Sequence, residues 1–144
     1  MNRSVRRFAL PLTMAALPAC APARGPAAGG LWDAHAHLSW YGQAALDSLA
    51  AHGVAGVRDC GGDAVELARW RDQIARGERR GPRIYFSGPV LDGPKPEPRH
   101  RVTVTTPEQA RRAVDSLAAL GVDFIKTHNA IPPAAFFEVI RHAR

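Results

Sequence analysis

From Leu31 onward, short apolar segments alternate with longer segments whose apolar residues recur every three or four positions. The first pattern is typical of buried strands and the second of amphipathic helices. The predicted strands are Leu31–Leu38, Val54–Cys60, Arg83–Leu91 and Val122–Lys126. The predicted helices are Gln43–His52, a helix that begins at Asp63 and stops before Gly81, a helix that begins at Thr106 and stops before Gly121, and Pro133–Arg144.

Four β–α units with apolar strands imply a parallel sheet covered by helices. Two architectures fit this order, a doubly wound sheet and a (β/α)8 barrel. No glycine-rich phosphate loop follows the first strand, which weighs against a nucleotide-binding doubly wound sheet. A complete barrel takes about 250 residues. We therefore expect an α/β fold in which residues 31–144 form the N-terminal half, four βα units, of a TIM-like barrel.

The sequence Asp-Ala-His-Ala-His at positions 33–37 is the strongest chemical signal in the chain. Residues two apart on a strand point to the same side, so His35 and His37 leave one face together. Imidazoles are good ligands for zinc and other transition metals. Two unrelated surface histidines are the alternative. The position at the end of the first strand, where barrel enzymes carry their active sites, favours a metal site.

Lysine is rare in this chain. Lys95 and Lys126 are the only lysines among 19 basic residues, and the other 17 are arginine. Lys126 ends the fourth predicted strand, where a lysine that extends into solvent is the ordinary interpretation. The functional alternative is that its amine takes up CO₂ to form a carbamate that bridges two metals, which a guanidinium cannot do.

Four segments resemble the amidohydrolase superfamily, and within it the imidazolonepropionase-like and prolidase-like branch. The segments are Asp33–Leu38, Gly53–Asp59, Gly81–Ile84 and Gly121–Lys126. They follow the family's order and cover most of the chain from Leu31 to Arg144. The resemblance implies a binuclear centre of divalent metal, with zinc as the expected ion, to which His35, His37 and a carboxylated Lys126 are ligands.

The family also uses two further histidines, on its fifth and sixth strands, and a general-base aspartate on its eighth. These positions lie beyond residue 144, so we assign no catalytic residue within the chain and expect residues 1–144 alone to be inactive. Family members also carry a small β-sandwich, part of it before the His-x-His strand, and we expect that part to be missing or rearranged here.

The N-terminus predicts export. Basic residues precede an apolar stretch too short to span a bilayer, and residues 1–20 end in the lipobox-like sequence Leu-Pro-Ala-Cys. We expect Cys20 to be lipidated, followed by a flexible tether at 21–30. The protein would then be a periplasmic or membrane-anchored bacterial lipoprotein. Cleavage near Ala19 or Ala21 without a lipid, and a misassigned start codon, are the alternatives.

The function predicted from these features is hydrolysis of amide or other C–N bonds by a metal-bound hydroxide, on a small molecule or short peptide. Two alternatives stay open: a non-catalytic lipid-anchored module, degenerate or truncated, and a metal-dependent nuclease or phosphoesterase of the His-x-His type. The formal charge is +6. Three of these positive charges lie in the predicted signal and the others are scattered, so we expect no nucleic-acid partner.

The remaining polar candidates have structural interpretations. Asp59 is expected to form an ion pair or hydrogen bonds, and Cys60 to be a packed small residue. His128, two residues after Lys126, is interpreted as a loop histidine, with a site role as the alternative. The histidines expected to be solvated are His52, His100 and His142.

Overall fold

The computed structural model describes residues 29–94 and 99–144. The predicted export signal, the lipidation site Cys20 and all of the predicted tether except Gly29 and Gly30 lie outside the described residues. Within the two described ranges, no helix combines the length and apolarity needed to cross a bilayer.

Strands and helices alternate along most of the described chain. The strands are β1 (Leu31–Ala36), β2 (Val54–Asp59), β3 (Arg83–Phe86), β4 (Val90–Asp92) and β5 (Arg101–Thr103). The helices are α1 (Leu38–Tyr41), α2 (Gln43–Ala51), α3 (Ala64–Ala75), α4 (Pro107–Ala119) and α5 (Pro133–His142). Strands β1, β2 and β3 form one parallel sheet in that order, so the predicted mixed α/β class with sequential parallel strands is confirmed.

Three of the predicted strands have different limits, of which the second differs only in ending at Asp59 instead of Cys60. The first ends at Ala36, and Leu38 instead begins α1 with its side chain buried. The third is interrupted at residues 87–89 and continues as β4, which pairs in parallel with β5, a strand that was not predicted. Gly88 has a φ of +64°, and Pro89 has no N–H to donate, so neither residue continues a regular ladder.

The prediction of a regular fourth strand at Val122–Lys126 is wrong in geometry, although the segment lies where that strand would be. Asp123 N donates to Phe86 O at 2.9 Å, and Leu91 N donates to Lys126 O at 2.8 Å. An isolated parallel bridge joins Leu91 to Thr127. Leu91 lies five residues after Phe86, but Thr127, its partner, lies only four residues after Asp123, the partner of Phe86. The break at 87–89 therefore adds one residue to one side, and consecutive ladder hydrogen bonds cannot form.

Two apolar clusters form the core. The first packs α1, α2 and α3 against the β1–β2–β3 sheet through Leu38, Leu46, Val57, Ala64, Leu67, Trp70, Ile84 and Phe86. The second packs α4 and α5 against β4 through Leu91, Val104, Ala110, Ala113, Val114, Leu117, Ala135 and Val139. Val122 contacts both clusters. Helices α1, α2 and α3 therefore cover one face of the three-stranded sheet.

The opposite face, here called the open face, carries Trp32, Gly56, Arg58 and Tyr85. On β2 and β3 these residues alternate with Val57, Ile84 and Phe86 of the first cluster, and Trp32 pairs with Gly56. The rings of Trp32 and Tyr85 lie 5.7 Å apart, and the Trp32 indole lies over Gly56, where an added Cβ would come within 2.6 Å of it. The two aromatic residues remain 52% and 41% exposed, whereas Gly56 beneath the indole is buried.

Helix α3 begins where the sequence predicts. The Asp63 carboxylate accepts hydrogen bonds from Val65 N at 2.9 Å and Glu66 N at 3.0 Å. These bonds satisfy two of the donors that a helix N-terminus leaves without partners. The start of α4 is also as predicted, with Thr106 as the cap and Pro107 in the first turn.

We predict that Asp63→Ala lowers the free energy of unfolding by about 1 kcal/mol, because both N-terminal amides of α3 lose their acceptor. Urea unfolding at pH 7 measures the change. The control is Asp72→Ala, an exposed position near the other end of the same helix, which should shift stability by less than about 0.5 kcal/mol. Equal losses in both variants would contradict the capping role.

Glu138 joins α4 to α5. Its carboxylate accepts from Arg141 Nη2 at 2.5 Å and from Arg111 Nη1 at 2.7 Å. Hydrogen bonds from Arg141 and then Arg111 hold the pKa of Glu138 below its ordinary value. The carboxylate is thus favoured more in the folded than in the unfolded chain.

We predict that Glu138→Gln destabilises the protein at pH 7 and that the difference from the parent shrinks in acid. The stabilisation is present above the unfolded-state pKa of about 4.3 and is lost as pH falls through the lower folded-state value. Urea midpoints of both proteins at pH 7 and pH 3 measure the effect. The same difference at both pH values would contradict it.

Candidate metal centre

The two histidines predicted as metal ligands lie together at the end of β1. Ala36 pairs with Asp59 and packs against the first cluster, so His35 and His37 on either side of it leave the open face. Their ring centroids are 5.2 Å apart. The register of β1 against β2 shifts between Asp33 and Ala36, and this irregularity determines which residues of β1 face the core at its end.

The orientation of the His37 ring is determined by a backbone carbonyl. His37 Nδ1 lies 3.0 Å from Gly61 O, and a carbonyl oxygen only accepts, so Nδ1 carries the hydrogen. Nε2 is then the nitrogen with a free lone pair, the arrangement found in metal-binding histidines whose other nitrogen donates to a backbone carbonyl. Gly61 has a φ of +155°, and a Cβ there would come within 2.8 Å of Val90 and 3.3 Å of the His37 ring. Glycine is therefore required here.

A buried carboxylate holds the two chain segments around His37. Asp59 is fully buried, and its oxygens accept from Leu38 N at 2.6 Å and from Gly61 N at 3.1 Å. Burial raises the pKa of the Asp59 carboxyl above its ordinary value, and the bonds from Leu38 and Gly61 oppose part of that rise. The hydrogen-bonding role predicted for Asp59 is confirmed. Asp59 thereby fixes Leu38, the residue after His37, and Gly61, the residue whose carbonyl contacts the His37 ring.

Lys126 lies at the same end of the sheet, on the irregular segment beside β4. The Phe124 ring is on the open face, with the Arg58 guanidinium carbon 3.9 Å from its centroid. Ile125 packs on the helix side, against the second cluster. Lys126 follows Ile125, and its carbonyl oxygen accepts from Leu91 N at 2.8 Å, which places its backbone beside β4.

The other residues singled out from the sequence occupy varied places. Cys60 is fully buried, as predicted. His52 and His142 are exposed, as predicted, and contact Ser48 O and Asp115. In the ranges 29–94 and 99–144, no three His, Cys, Asp or Glu side chains are arranged to hold a metal ion.

His100 corrects one expectation. It was predicted to be a solvated loop residue, but it is half-buried, with a φ of 54° and its ring 6.2 Å from that of Trp40. The Trp40 ring also lies 6.2 Å from that of His37. The Trp40 ring therefore lies between the rings of His37 and His100. No sequence pattern joins these residues, since tertiary packing alone brings the segments together.

Sequence reasoning also missed Asp92, at the end of β4. It is fully buried. Its Oδ1 accepts from Gly93 N and Ala130 N at 2.9 Å each. Its Oδ2 lies 2.6 Å from Arg101 Nη1 and 3.2 Å from His128 Nδ1. The signal that was available is an acidic residue directly after an apolar strand, at the end where barrel enzymes carry their active sites.

Solved structures share this fold. A provisionally named prolidase from Bifidobacterium longum is 31% identical, and the match covers 79% of this chain and 32% of that one with a TM-score of 0.68. Bottromycin amidohydrolase is 28% identical, with 79% and 25% coverage and a TM-score of 0.65. A Xaa-Pro dipeptidase with bound methionine is 21% identical, with 79% and 40% coverage and a TM-score of 0.61, and shows the fold alone.

Comparison with protein-family models and with curated proteins gives no match. The structural matches are prolidase-like and amidohydrolase-family proteins. The chain shares the structure of the amidohydrolase superfamily, and the resemblance predicted from the four sequence segments is confirmed. The chain spans between a quarter and two fifths of the length of the three proteins described above.

We predict that Asp59→Asn destabilises the protein by about 1–3 kcal/mol, even though it removes a buried charge. The amide has a single acceptor oxygen, so its NH₂ group would face either Leu38 N or Gly61 N and leave that buried donor without a partner. Urea unfolding at pH 7 measures the loss. Asp47→Asn, at an exposed position on α2, is the control and should change stability by less than about 0.5 kcal/mol. A neutral or stabilising Asp59→Asn would show that the two bonds contribute nothing net.

Proposed function

We propose that this chain supplies His35, His37 and Lys126 to the divalent-metal centre of an amide-bond hydrolase. The observation that carries the proposal is the pair of adjacent imidazoles at the end of β1, with the His37 ring oriented by the Gly61 carbonyl. The chain also shares its fold with amidohydrolases and prolidase-like proteins. Residues 31–144 would form the first four βα units of a barrel, which is supported by the sequential parallel strands.

The donor set fits a divalent metal of the zinc type. Neutral imidazole is a common ligand for such ions, and His37 already has its hydrogen on the nitrogen that faces Gly61. Lys126 would bind as a carbamate, whose negative charge suits a site with two cations. Two histidines and one lysine leave ligand positions open. The family resemblance would fill these from histidines on the fifth and sixth strands of the family's barrel and an aspartate on the eighth.

The residues of this chain have separate tasks in that proposal. A divalent metal, when bound, polarises a carbonyl and lowers the pKa of water. The Gly61 carbonyl holds His37 in one tautomer, and Asp59 fixes both Gly61 and the start of α1. Trp40, half exposed beside His37, would limit access of water from that side.

We infer that the substrate is a short peptide or another small amide. One solved prolidase of this fold was crystallised with N-methylphosphonate-L-proline, and one Xaa-Pro dipeptidase with methionine in its active site. We further propose that the protein is exported and anchored through Cys20, which metabolic labelling with a fatty acid would test by comparing the parent with Cys20→Ser.

We predict that Lys126→Arg in the full-length protein keeps the fold but loses metal and turnover. A guanidinium cannot take up CO₂, and its charge would repel the cations. Changes to residues that only hydrogen-bond to metal ligands already cost about 10–100-fold in metal affinity. Replacing the ligand itself should therefore lower metal affinity at least about 10-fold. Elemental analysis of the purified protein measures metal content, and circular dichroism measures the fold.

The matched control is Arg112→Lys, an exposed position on α4, which should leave metal content and turnover unchanged. Lys126→Ala should regain part of its activity when a small carboxylate such as formate is added, because the anion can take the place of the carbamate. A Lys126→Arg variant with the parent's metal content and rate would show that Lys126 is an ordinary surface lysine.

A further inference from the structure

His128 is held by a buried carboxylate, that of Asp92, which binds groups from three described segments. Asp92 receives Gly93 N and Ala130 N on one oxygen, and the Arg101 guanidinium and the His128 ring on the other. The Asp92 side chain is 1% exposed, whereas that of His128 is 42% exposed. The ring is therefore anchored on its inner side and accessible on its outer side.

The face of β4 that carries Asp92 is the one next to the paired histidines. Leu91 points into the second cluster, so Val90 and Asp92 on either side of it point the opposite way. Val90 is close to Gly61, the residue whose carbonyl contacts His37. Asp92 lies two residues further on the same face.

The contact with Asp92 selects which nitrogen of the ring is available. His128 Nδ1 lies 3.2 Å from a carboxylate oxygen, and a carboxylate offers lone pairs only, so the neutral ring carries its hydrogen on Nδ1. Nε2 then presents a lone pair on the exposed side. Among the residues of 29–94 and 99–144, no contact engages Nε2.

We propose that His128 is a specificity residue whose Nε2 accepts a hydrogen bond from the α-ammonium group of a peptide substrate. The inference rests on the proposed amide hydrolysis for its substrate class. In a Xaa-Pro dipeptide the scissile nitrogen carries no hydrogen, so the α-ammonium is the one N–H donor of the substrate. A hydrogen bond from a charged donor is about twice as strong as one between neutral groups. His128 therefore distinguishes peptides with a free amino terminus from those without one.

The test compares Ala-Pro with propionyl-proline, which has the same skeleton without the nitrogen donor. Calorimetric binding and, where turnover occurs, kcat and KM are measured for the full-length parent and for His128→Asn. The asparagine amide N–H occupies about the place of Nδ1, so it keeps the contact with Asp92 while Nε2 is lost. We expect the parent to prefer Ala-Pro, and His128→Asn to weaken Ala-Pro at least about 10-fold through Kd or KM, with propionyl-proline unaffected and metal content unchanged.

His142→Asn is the matched control. His142 also contacts an aspartate, Asp115, at 2.7 Å, but on the exposed surface of α4 and α5, so both ligands should bind as to the parent. The inference is overturned if His128→Asn binds both ligands as the parent does, if both weaken equally, if the parent binds neither, or if metal is lost. Ala-Pro binding that depends on His128 without any hydrolysis would support the inference and refute the proposed function.

Discussion

The site depends on the buried carboxylate of Asp59. Burial of this group carries a free-energy cost, which its bonds from Leu38 and Gly61 offset in part. Those bonds connect the end of β1 with the turn after β2. Because His37 immediately precedes one bonded residue and contacts the carbonyl of the other, the position and tautomer of its ring follow from where Asp59 is held. The orientation of the proposed ligand His37 on β1 is thus determined by a residue of the paired strand β2.

A second buried carboxylate has a comparable role at the end of β4. Asp92 connects the end of β4 with the segment after Lys126 and with Arg101 on β5. Each aspartate is the last residue of its strand and accepts backbone N–H groups from a following turn. Irregular backbone at a sheet end leaves polar groups that need partners, and a carboxylate satisfies several of them at once.

The local features of the fold could be predicted from the sequence, and the non-local ones could not. The Asp63 and Thr106 caps and the common face of His35 and His37 depend on residues within four positions of each other. The break at Gly88–Pro89 was concealed by the apolar residues on both sides, although the Gly-Pro pair is itself a turn signal. The pairing of β4 with β5, the contact of Trp40 with His100 and the ligands of Asp92 join distant segments, and no local pattern encodes them.

The break between β3 and β4 also marks a boundary in the packing of the core. It separates two apolar clusters, with Val122 packing against both. Next to it, Asp123 accepts from Phe86 N and contacts Arg71. Cooperative units of unfolding often coincide with such separately packed motifs. His35 and His37 lie beside the first cluster and Lys126 beside the second, so the relative position of the proposed ligands depends on how the two clusters pack together through Val122.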